Sequence, residues 1–127
     1  MKPINSKEFE AVINLPANIR YEYFIKKVAD SEEVWGLYDD GWAMTSDDNG
    51  NLLVPFWPKR EFAEYCAFEE WSNCTAEVIP LNAFISEILP KIKEDQYKPS
   101  IFWNRENAAV PEINALLKDL EQELEQY

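Results

Sequence analysis

The chain has 127 residues, 46% of them hydrophobic, with 24 acidic and 12 basic side chains and a net charge of −12. That size and apolar content suit one α+β or α/β domain over residues 1–127 and exclude a disordered tail. With no histidine and two cysteines, a four-ligand zinc site and Ser-His-Asp or Cys-His catalysis are excluded as well.

In chain order, Asn5 with Glu8 three residues later predicts a capped helix, with Phe9, Val12 and Ile13 inward and Pro16 at its end. A second helix over 17–29 places Ile19, Tyr23, Phe24 and Val28 at helical spacing. From Glu33 to Tyr38 the pattern alternates as a strand. Asp39-Asp40-Gly41 then turns the chain into a second strand at Trp42-Ala43-Met44. Asp47-Asp48-Asn49-Gly50-Asn51 is a second turn, and Leu52–Phe56 a third strand in which Pro55 argues for an irregular or edge position. Trp35 and Trp42, on adjacent strands, are expected in the core.

Pro58 opens a helix running to about Phe68, with Phe62, Tyr65 and Cys66 on one face. A strand at 76–81 precedes a helix capped by Asn82, which Pro90 should kink or end. A last strand at Ser100–Trp103 leads to a helix opened by Pro111. The order ααβββαβαβα predicts one mixed sheet of about five strands, a β-meander followed by strand–helix–strand crossovers, covered by helices.

Charge is unevenly placed. Residues 28–90 hold thirteen acids and two bases, a net −11, which leaves −1 for the rest of the chain. Nucleic-acid and anionic-membrane binding are not expected, since both need positive surface. A basic protein partner is expected instead, attracted to the acidic segment. No apolar run is long enough to cross a bilayer, and the N-terminus lacks a secretory h-region, so a cytoplasmic location is expected.

The stretch from Trp35 to Pro58 sets three tryptophans among four aspartates with no basic residue. Asp39, Asp40, Asp47 and Asp48, with Trp57, form the candidate partner-binding set. The aspartates sit in exposed turns, where nothing desolvates one carboxyl to make it an acid catalyst. The 47–51 loop also fails the calcium pattern, because Gly50 comes too early and position twelve is Pro58. No cofactor, metal or catalytic residue is expected. The rival reading is a carbohydrate- or small-ligand-binding module, or a carboxylate enzyme, using Trp42 and Trp57 beside the turn aspartates. That reading requires a concave pocket containing an exposed tryptophan ring.

The run from Arg20 to Leu37 resembles the bacterial family called domain of unknown function 2750. Further points of likeness are Gly41-Trp42-Ala43, Val54–Pro58, Glu61–Cys66, Pro80-Leu81 leading to Phe84, and Leu89-Pro90. The resemblance implies a lineage and carries no activity. The second half, from Val54-Pro55-Phe56 onward, is similar more weakly to the N-terminal domain of the enhanced-serine-sensitivity proteins. That similarity implies protein contacts, some of an immunity kind.

Overall fold

The computed structural model describes residues 4–126. Asn5 caps α1, Ser6–Ile13, its side chain accepting from the Glu8 amide at 2.8 Å. This satisfies one of the amides a helix start leaves open. The Glu8 carboxylate accepts from the Tyr23 hydroxyl at 2.6 Å, tying α1 to α2, Ala17–Ser31. The inner face of α2 is turned by one residue from the apolar pattern: Ile19 is 38% exposed, whereas Arg20 is 1% exposed. Phe24, Ile25, Val28 and Ala29 complete that face.

Five strands follow: β1 Glu33–Tyr38, β2 Thr45–Ser46, β3 Leu52–Phe56, β4 Thr75–Pro80 and β5 Lys98–Ile101. The α+β class and the predicted order of elements hold, but the strands divide between two sheets. β1 pairs antiparallel with β4, 43 residues on for Trp35↔Val78, and makes a two-stranded ribbon. β3 lies between β2, antiparallel, and β5, parallel. A single antiparallel bridge, Trp35 to Trp57, joins the sheets with mutual 2.8 Å backbone hydrogen bonds.

Pro55 explains the division. Leu53 and Trp57 turn their backbone groups to the side of β3 facing β2 and then β1, so by alternation Pro55 faces the seam between them. A residue with no N–H loses nothing there.

The expected Trp42–Met44 strand is corrected. Trp42 keeps one bridge, to Tyr38, and the strand begins only at Thr45. The reason is the Trp42 ring, which lies across β1 at Gly36: a Cβ there would come 2.9 Å from Trp42 Cζ3. Gly36→Ala should therefore cost about 1–3 kcal/mol, the range for overpacking a filled site. Urea denaturation measures this, and a neutral result would mean the half-buried indole swings aside freely.

α3, Arg60–Tyr65, and a 3₁₀ turn, Glu69–Trp71, fill the path from β3 to β4. The next helix runs on through Pro90 as α4 Leu81–Ala83, a π segment Phe84–Ile88, and α5 Leu89–Glu94. Pro90 does not end it: the turn before Pro90 is the π segment, and a wider turn suits a proline whose ring would otherwise crowd the carbonyl four residues back. α6, Ile113–Leu124, packs on α2, and Tyr21 donates to Asp119 Oδ2 at 2.6 Å between them. Within the core Phe62 meets Phe102 and Phe9, with centroids 4.6 and 5.1 Å apart. Among the described residues no helix is long and apolar enough to cross a membrane.

Candidate functional site

The two faces of the three-stranded sheet differ. Val54, Phe56 and Ile101 point into the core. Leu53 and Pro55 alternate onto the opposite face, joined by Ser100, the register partner of Pro55. These three residues floor a groove of about 400 Å³, within the roughly 300–1,000 Å³ of small-ligand sites. Thr45 and Ser46 of β2 form one side. The other walls come from the segments that follow the parallel strands: Phe68, Glu69, Glu70 and Trp71 after β3, and Trp103 and Asn107 after β5. Crevices at the carboxyl ends of parallel strands are where open α/β sheets place ligands.

The aromatic wall is built as a column. The Arg105 guanidinium lies 4.0 Å from the Phe68 ring centroid, and Phe68 stacks on Trp103 at 6.1 Å and 17°. Arg105 is held there by donating to the Tyr65 carbonyl from Nε and Nη2. Trp71 meets Trp103 edge to face, at 5.4 Å and 79°, so the two half-buried indoles form a corner.

Two buried groups hold that corner from beneath. Trp57 donates its indole N–H to the Trp103 carbonyl at 2.9 Å, and the Cys66 thiol donates to the same oxygen at 3.1 Å. Burial pushes the Cys66 thiol up to about 12, so it is a packed neutral group rather than a nucleophile. Both cysteines are free.

Arg20 fixes the other loop. Its guanidinium donates to the carbonyls of Leu15, Phe102 and Asn107, and to Asn107 Oδ1 at 2.6 Å. Desolvation lowers its pKa, partly offset by Cys66 and Glu106. The ion pairs among the described residues, Lys27–Glu8 and Lys91–Asp95, do not include it. Asn104 adds a second clamp, donating to Ile13 O and accepting from the Glu106 and Asn107 amides. Held from both sides, the loop carries left-handed backbone at Phe102 and Arg105, and Glu69 across the groove is left-handed too. Non-glycine residues in that region cost about 1–3 kcal/mol each and persist where the surroundings over-determine them.

The residues singled out from sequence lie elsewhere. Trp57 is fully buried, a correction to its place on a contact surface: it bridges β1 and belongs to the core. Trp35 is buried as expected, whereas Trp42 is half-buried and lies outside the groove. Asp39, Asp40 and Asp48 are exposed, and none of the four turn aspartates lines the groove. Asp47 is spent on its own turn, accepting from the Asn51 side chain and from the Asn49 and Asn51 amides. Those bonds, the Asn51 side chain first, hold its carboxyl below the ordinary range.

Sequence reasoning missed Phe68, Glu69, Glu70, Trp71, Trp103 and Asn107. Phe68-Glu69-Glu70-Trp71 repeats the juxtaposition of indole and carboxylate seen from Trp35 onward, and that was the available signal. Among the described residues no group of three or more potential ligands is placed to hold a metal ion.

A family model described as a protein of unknown function (DUF2750) matches residues 21–124. The chain belongs to this family. The matched segment contains every wall and floor residue of the groove named above, and Arg20 immediately precedes it. No curated protein matches the chain. The match does not extend to the enhanced-serine-sensitivity proteins.

Proposed function

We propose that this DUF2750 protein is a non-catalytic binding domain that holds a basic segment of a partner protein in the Trp71–Trp103 groove. The observation that supports this most is the makeup of the wall: two indoles, one phenyl ring and two glutamates, with no lysine or arginine among the lining residues. Aromatic faces and carboxylates together suit cationic side chains with apolar stems. Asp39, Asp40 and Asp48, outside the groove, act at longer range and raise the association rate with a basic partner. Asp47 is the least available of the four.

One observation favours a second reading. The groove is concave and contains half-exposed indoles beside the hydroxyls of Thr45, Ser46 and Ser100, a set that also suits a polyhydroxylated ligand such as an oligosaccharide.

Amide chemical-shift mapping separates the two. A lysine- and arginine-rich peptide should shift residues 68–71 and 103–107 in a saturable way, more strongly in dilute buffer than in high salt. A panel of neutral oligosaccharides should leave them in place. Saturable groove shifts from a sugar alone would overturn the basic-partner reading. Shifts confined to the aspartate turns would reduce it to surface attraction.

A further inference from the structure

We infer that the groove, on the reading just proposed, is selective for arginine over lysine, seating a guanidinium in the corner between Trp71 and Trp103 with Glu69 and Glu70 as its counter-ions. The fold displays this recognition with its own residues. Arg105 Cζ lies over the Phe68 ring at 4.0 Å and over the Tyr65 ring at 3.9 Å while its N–H groups donate to a carbonyl. Through Phe68 the same column reaches Trp103, which lines the groove. A planar cation stacked on the indole side would continue the order of cation and ring. A guanidinium suits such a site because it is planar, stacks on aromatic rings and pairs with a carboxylate through two parallel N–H donors. An ammonium is a strongly hydrated point charge and gains less from an indole face.

The polar groups around the corner fit the same occupant. Arginine offers only donors, so the site has to supply acceptors. Glu69 and Glu70 are exposed carboxylates on the wall. Ser100 is 4% exposed and lines the floor, and its hydroxyl makes no hydrogen bond to any described residue. As a groove-lining hydroxyl it can accept from a bound donor. Asn107 plays the opposite part. Arg20 occupies its Oδ1 and so presents its amide N–H₂ as a donor, matched to a main-chain carbonyl of the bound segment.

The test uses the full chain and three ten-residue Gly/Ser peptides, alike except for two central positions occupied by arginine, lysine or citrulline. Citrulline keeps the planar shape of arginine and removes its charge. Titrations followed by amide shifts at fixed salt should show the arginine peptide saturating residues 68–71 and 103–107 at about tenfold lower concentration than the lysine peptide. The citrulline peptide should not saturate. Glu69→Gln with Glu70→Gln, both at exposed positions, should weaken the arginine peptide about tenfold and bring it close to the lysine peptide. Lysine binding the groove as tightly as arginine would overturn the selectivity and leave the groove reading standing, as would citrulline matching arginine or an unchanged double variant. No saturable groove shift from any of the three peptides would overturn both.

Discussion

Arg20→Met is expected to destabilise the protein by about 3–5 kcal/mol, because it takes a buried donor away from several acceptors at once. Methionine fills similar space but leaves the Leu15 and Phe102 carbonyls and the Asn107 Oδ1 without that donor, while the Asn107 carbonyl keeps the Asn104 amide. Each orphaned buried acceptor costs on the order of 1–3 kcal/mol, less where water can reach it. Arg20→Lys should fall short of wild type as well, because one ammonium cannot span acceptors that the guanidinium fork reaches from Nε, Nη1 and Nη2. Urea denaturation at neutral pH measures both. A loss under about 1 kcal/mol for the methionine variant would show that Asn104 alone holds the loop. The loop carries Trp103 and Asn107, so the same substitution should also weaken any groove ligand.

Trp57→Ala should cost a similar amount, about 3–5 kcal/mol, the range for truncating a fully buried aromatic. The indole fills the junction of the two sheets, and its N–H supports the Trp103 carbonyl. Trp57→Phe separates these contributions. It retains most of the packing and removes the donor, so a smaller loss of about 1–2 kcal/mol is expected. The phenylalanine variant should also move the indole N–H resonances of Trp71 and Trp103, which report how those two rings are set against each other. An alanine variant as stable as the wild type would contradict the burial of Trp57 and restore it as a surface residue.

Local physics was legible in the sequence. The Asn5 cap, the alternation of β1, the two aspartate turns and the order of the elements all depend on residues close together along the chain. Backbone propensity, capping and periodicity act at that range. The uneven charge was equally plain, since it is a property of composition. What only the tertiary structure decided is everything that joins distant segments. β1 pairs with β4 rather than with its neighbours, because Trp42 lies across Gly36 and Pro55 leaves a seam. The apolar pattern of α2 favoured Ile19 inside, yet Arg20 is the buried residue. No local rule anticipates that, since its acceptors Phe102 and Asn107 lie 82 and 87 residues away. The groove was hidden for the same reason. Its floor comes from β3 and β5, and its walls from loops some 35 residues apart in sequence. A hydrophobic pattern tells which residues leave water; which distant residues they meet is settled only when the whole chain packs.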